Sequence, residues 1–149
     1  MSRTDEVRNK VQRILAEDLG SVKVDKDGDF VVIHESAVTF VRVYSRNESD
    51  PEADIVINAF CPLIVDVPLT PALYEWVATE GQEFYFGSCR LVKDDNGKTG
   101  RVLFKYSIVG NDLDPNELFT LVYTVAMTSN QLDNDLQKQF GGNLFGRDD

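Results

Sequence analysis

Residues 21–61 read SVKVDKDGDFVVIHESAVTFVRVYSRNESDPEADIVINAFC, and this stretch decides the fold class. Residues 29–34, 38–44 and 55–61 are rich in Val, Ile and aromatic side chains, and turns or a loop, never a helix-length pattern, separate them. Asp25-Lys26-Asp27-Gly28 joins 21–24 to 29–34 as a hairpin, with Asp-Gly supplying the positive φ angles of a type I′ turn. Glu35-Ser36-Ala37 reads as the next turn. Residues 45–54 hold Pro51 among Glu48, Asp50, Glu52 and Asp54; without apolar partners they read as a solvated loop. Strands that follow one another in hairpins predict an antiparallel sheet and an α+β fold rather than a doubly wound α/β one.

Working outward, residues 3–19 place Val7, Val11, Ile14, Leu15 and Leu19 at helical spacing. Thr4 or Ser2 suits the start and Gly20 the stop. Downstream, Thr70-Pro71 reads as an N-cap followed by proline at the first helical position, opening a helix that ends near Gly81. Residues 84–92 and 101–109 read as strands joined by the turn Asp94-Asp95-Asn96-Gly97. Asp114-Pro115 opens the last helix, which runs to about Gln139 and stops at Gly141-Gly142. A single domain over 1–145 is expected, with a frayed acidic tail at 146–149.

The chain has 149 residues, with 15 Lys and Arg against 25 Asp and Glu, a net charge of −10. Nucleic-acid binding needs a basic stripe to neutralise phosphates, so this balance argues against it. No apolar run approaches a membrane span, and the first residues lack the profile of a secretory leader, so a cytoplasmic protein with no membrane partner is expected. Residues 1–28 are neutral, whereas 29–66 hold seven acids and two bases. That excess sits largely at 48–54, and the expectation is an acidic rim that steers basic partners to a binding face.

Catalytic constellations are scarce. His34 is the only histidine, and a Cys61–His34 nucleophile and base pair rests on nothing that brings the two together. Asp25 to Asp29 resembles half a calcium loop, but Phe30 stands where that loop needs glycine and Ser36 where it needs glutamate. Asp94/Asp95, Asp133/Asp135 and Asp148/Asp149 read as solvated surface charge. No cofactor and no metal site are expected, and no enzyme activity.

The strand faces are more informative. Ile55, Ile57, Ala59 and Cys61 share one apolar face, as do Thr39, Val41 and Val43 on the neighbouring strand. The other faces carry Phe40, Arg42 and Tyr44, then Asn58 and Phe60, and residues 84–92 open with Phe84 and Phe86. Aromatic and Arg side chains interleaved with small polar ones match an interface, and they equally fit a surface lying beneath a helix or loop. In the last helix Phe119, Tyr123 and Met127 form a second apolar stripe, either buried between layers or shared with another subunit.

Several stretches together resemble the YbjN-like family, in its actinobacterial form, and through it the class I type III secretion chaperones. They are Val24-Asp25-Lys26-Asp27-Gly28-Asp29-Phe30, Pro62-Leu63-Ile64-Val65-Asp66-Val67-Pro68, Phe84-Tyr85-Phe86-Gly87-Ser88, Gly110-Asn111-Asp112-Leu113-Asp114 and Phe140-Gly141-Gly142. The resemblance implies an α-β-β-β-α-β-β-α domain with a bent antiparallel sheet and flanking helices. It also implies a module, often dimeric, that holds a partner segment extended across an apolar surface, and it offers no catalytic residues.

The expected function is therefore non-enzymatic and chaperone-like, in secretion or stress regulation. Phe40, Arg42, Tyr44, Phe60, Phe84 and Phe86 would bind an extended apolar or basic segment of a partner protein. Phe119, Tyr123 and Met127 would form a homodimer interface. The alternative is a regulatory scaffold whose apolar surface serves only homodimerisation.

Overall fold

The computed structural model describes residues 1–20 and 22–146; the expectations placed on Ser21 and on Arg147, Asp148 and Asp149 lie outside them. Helix α1 (Arg3–Leu19) begins where Ser2 caps it, its hydroxyl accepting from the Asp5 N–H at 3.1 Å. Strands β1 (Lys23–Val24), β2 (Phe30–His34), β3 (Ala37–Ser45) and β4 (Ile55–Pro68) follow, then α2 (Pro71–Ala78) and a 3₁₀ turn at Glu80–Gln82. Strands β5 (Ser88–Lys93) and β6 (Thr99–Val109), helix α3 (Pro115–Phe140) and the short β7 (Asn143–Leu144) complete the described chain. The Thr70 and Asp114 side chains cap α2 and α3, as their sequences required.

All described strands join one open antiparallel sheet in the order β1-β2-β3-β4-β6-β5, with β7 beside the far half of β4. Helices α1 and α3 lie on one face. That face carries Val41, Ile57, Ala59, Val102 and Phe104, all fully buried with Val11, Leu15, Leu118 and Val125 of the helices. Burial of one such Leu, Val or Phe side chain stabilises the fold by roughly 1.5–3 kcal/mol. The apolar faces of residues 39–43 and 55–61 are thus turned inward as their alternation requires. The fold is α+β with three helices; β1 falls within the strand expected at 21–24, and the short β7 is an addition to the expected order.

Four local expectations are corrected. The Asp25–Asp29 connection is not type I′: only Gly28 has positive φ, and the Gly28 N–H donates to the Asp25 carbonyl at 3.1 Å. This is a type I turn with a glycine bulge, the three-residue hairpin solution. Strand β4 does not stop at Cys61. Pro62 lies where the β3 ladder has ended and β7 has not begun, so the strand is bordered on one side only and tolerates proline as an edge does.

Residues 84–87 are not strand. Gly87 sits at φ +91°, and a Cβ there would lie 2.7 Å from both the Lys105 carbonyl and the Phe104 ring, so the chain reaches β5 from above rather than along its line. Asp133, expected on the surface, is buried on the inner side of α3. At the C terminus Gly141 and Gly142 have φ of +85° and +79°. They do more than stop α3: Gly142 passes so close to the Val65 carbonyl that only glycine fits, and this places β7 in the sheet.

Candidate functional site

The sheet face opposite the helices carries no helix of its own. Residues that pair across an antiparallel sheet share a face, so its membership follows from the register. Phe40 pairs with Phe60, Arg42 with Asn58, Tyr44 with Val56, and across β4 Phe60 pairs with Lys105 and Asn58 with Ser107. Phe40 and Phe60 stack at 5.3 Å between centroids with an interplanar angle of 17°. The Arg42 guanidinium stands 5.2 Å from the Phe60 centroid.

Arg42 is held from its other side by Asp29. Its Nε and an Nη donate to the two carboxylate oxygens at 2.9 and 2.7 Å, the bidentate geometry that fixes a guanidinium plane. Asp29 is buried, and its own backbone N–H donates to the Asp25 side chain at 2.9 Å. The β1–β2 hairpin therefore positions the carboxylate that positions Arg42. The Asp29 hydrogen bonds, outweighing desolvation, hold the guanidinium above its ordinary pKa, with Asp27 and Asp25 adding to the effect.

A shallow cavity of about 310 Å³ opens beside this pair, lined by Arg42, Tyr44, Asn58, Arg90, Lys105 and Ser107. The Ser107 hydroxyl donates to the Asn58 side-chain oxygen at 2.9 Å and bridges its floor. At the opposite end of the aromatic pair, the Phe145 ring meets Phe40 edge-on at 5.9 Å. The C-terminal segment has crossed from the helix side and covers one end of the open face. Both readings of these aromatics thus apply, to different residues: a loop residue caps Phe40, while Tyr44 is 38% exposed.

Two of the six residues grouped from the sequence lie elsewhere. Phe84 packs edge-on against the buried Phe104 at 5.2 Å, and Phe86 leans on Tyr106 at 5.8 Å. Phe104 and Tyr106 pair with Cys61 and Ala59, so Phe84 and Phe86 belong to the helix side. The acidic loop is corrected as well. Arg3 donates to the Pro51 carbonyl at 3.4 Å, and residues 48–53 line a crevice with the first four residues of the chain. The loop leans on α1 and is not a rim of the open face.

Besides Arg42, which the sequence reading named, the residues it missed are cations. Among strand positions paired on the open face, Lys23, Arg42, Arg90, Arg101 and Lys105 are basic and none is acidic. Their signal lay in β6, where Arg101, Leu103, Lys105 and Ser107 alternate with the buried or half-buried Val102, Phe104 and Tyr106.

On the helix side, Tyr123 and Met127 are 47% and 52% exposed and Phe119 is half-buried. Phe119 and Tyr123 line a narrow apolar crevice with Leu19, Ile33 and His34, at the β2 edge of the sheet. His34 meets the Tyr123 ring at 5.5 Å, whereas the Cys61 thiol faces the hydroxyls of Ser129 and Thr39, and no hydrogen bond joins His34 to Cys61. Burial pushes the Cys61 thiol up, opposite to what a nucleophile needs. No group of metal-ligating side chains occurs among the described residues, and the Asp25 and Asp29 carboxylates are taken by the turn and by Arg42. No described helix is long and apolar enough to cross a membrane.

Residues 5–148 match the family described as T3SS (YopN, CesT) and YbjN peptide-binding chaperone 1. The chain belongs to this family. The crystal structure of YbjN from E. coli shares its fold, with a TM-score of 0.62 over 89% of this chain and 93% of that one, at 12% identity. No curated protein matches in sequence. The sheet face that carries no helix in this protein is aromatic and basic, with a shallow cavity beside Arg42 and Tyr44.

Proposed function

We propose that this protein is a non-enzymatic chaperone that holds an extended segment of a partner protein on its open sheet face. The observation that carries this reading is the open surface formed by Phe60, Arg42 and Tyr44 beside the cavity, backed by the capped Phe40, in a chain of a peptide-binding chaperone family. Aromatic rings supply apolar area at low entropic cost, and the bidentate Arg42 is already ordered before a partner arrives. Phe84 and Phe86 have no part in this site.

Binding of the labelled protein to an array of overlapping peptides tests the reading. The protein retains a subset of peptides, and the Phe60→Ser, Tyr44→Ser pair loses them while its circular-dichroism spectrum is unchanged. Equal retention by the folded variant would show that the face is not the site.

A second copy is the partner best suited to the other apolar surface. Exposure of Tyr123, Leu19 and Ile33 around one crevice, with Met127 exposed on the same helix, favours it. Light scattering reads it directly: a homodimer that Tyr123→Glu converts to a folded monomer supports the reading, and a monomeric parent protein refutes it.

A further inference from the structure

The chain carries a net charge of −10, yet five of its fifteen Lys and Arg lie on paired positions of one sheet face that holds no carboxylate at any such position. Arg42 is neutralised by Asp29. Among the described residues Lys105, Arg90 and Arg101 form no ion pair. Like charges on adjacent strands repel, so an uncompensated cluster in an otherwise acidic protein needs an anion to complete it.

We infer that the client segment is acidic, with carboxylates received by Lys105 and Arg90 and an apolar side chain set against Phe60 and Tyr44. This rests on the peptide-binding reading and names the chemistry of its ligand. The cavity spans β3 to β5, three steps of about 4.8 Å, so it accepts four or five residues of extended chain lying across the strands. Within it Asn58 and Ser107 add hydrogen-bonding groups for the segment's backbone or carboxylates. The charge distribution also sets a length limit. A short acidic segment meets only the basic strip, whereas a long polyanion such as nucleic acid would run onto the acidic remainder of the surface. The acidic surface therefore does not steer basic partners to this face, as the sequence alone suggested; it restricts which anions fit.

The test uses the full chain and three fluorescein-labelled peptides of about ten residues. One alternates Glu with Phe and Val; the others carry Lys or Gln in place of every Glu. Fluorescence anisotropy should show the Glu peptide binding at least about tenfold tighter than either control, weakening at high salt. The Lys105→Glu, Arg90→Glu variant should lose that preference, or reverse it in favour of the Lys peptide. If charge reversal impairs folding, Lys105→Gln with Arg90→Gln should reduce Glu-peptide affinity about tenfold while leaving the Gln peptide unchanged.

Equal or tighter binding of the Lys or Gln peptide overturns the inference and leaves peptide binding intact. Binding of none of the three, together with no retention on the peptide array, overturns both. A single-stranded oligonucleotide that outcompetes the Glu peptide refutes the assignment in favour of nucleic acid. Self-association that the charge variant and salt both abolish refutes it in favour of a second copy.

Discussion

The pair Arg42–Asp29 separates residues that hold the fold from residues that hold a ligand. Arg42→Met keeps the aliphatic stem beside Phe60 and removes the guanidinium. The Asp29 side chain, 4% exposed, then loses both of its hydrogen bonds, while Arg42 itself is 48% exposed. A fully exposed pair is worth about 0–1 kcal/mol, and breaking a fully buried one costs about 3–5 kcal/mol. Because water already screens the arginine side, about 2 kcal/mol is expected here. For a chain of this size that lowers the melting temperature by about 4–8 °C. Replacing both residues, Arg42→Met with Asp29→Leu, should recover at least half of the loss, since the cost lies in the stranded carboxylate rather than in a missing attraction. Chemical denaturation followed by circular dichroism measures all three variants, with the slope on denaturant checked for constancy. A loss under about 0.5 kcal/mol for Arg42→Met, or a double variant no better than the single one, would refute the reasoning.

Further outcomes follow from other parts of the fold. Gly87→Ala places a methyl 2.7 Å from the Lys105 carbonyl at a φ of +91°, and should cost about 3 kcal/mol or more in the same denaturation assay. Phe145→Ala uncovers Phe40 and should cost about 1 kcal/mol, with increased binding of an apolar dye to the open face. Burial pushes the Cys89 thiol up to about 12 from 9.0, so the folded state keeps its proton where the unfolded chain releases it. The Cys89 contribution to stability should be constant below pH 9 and be lost between about 9 and 12, and Cys89→Ala should make the alkaline decline shallower. Both cysteines should resist a thiol reagent in the native protein at pH 8 and react only on unfolding; rapid labelling of either would contradict its burial.

Local chemistry was the legible part. The caps Thr70 and Asp114, the helical spacing of residues 7–19, and the alternation over 38–44 and 55–61 all depend on neighbours within one turn or one strand. Each also appears in the structure at that place. The misreadings share a cause in distant partners. Phe84-Tyr85-Phe86 has strand composition, but the Phe104 ring draws Phe84 across the inner face and Gly87 turns the chain. Pro62 looked like the end of a strand because its tolerance depends on where β3 and β7 stop.

The order of residues alone makes this an α+β chain with two unlike faces to its strands, because side chains alternate with period two and helices repeat at three and four. It also carried the ordered stretches by which the family was recognised. What each face meets depends on partners that come together on folding. Register brings Lys105 beside Phe60 and Ser107 beside Asn58 from segments more than forty residues apart. It likewise sends Phe84 and Phe86 to the helix side and folds Phe145 onto Phe40. A net charge of −10 is a sum over the chain and contains no positions; the basic face exists because strand pairing gathers five cations at paired positions that hold no acid, with Asp29 reaching in to neutralise Arg42 alone.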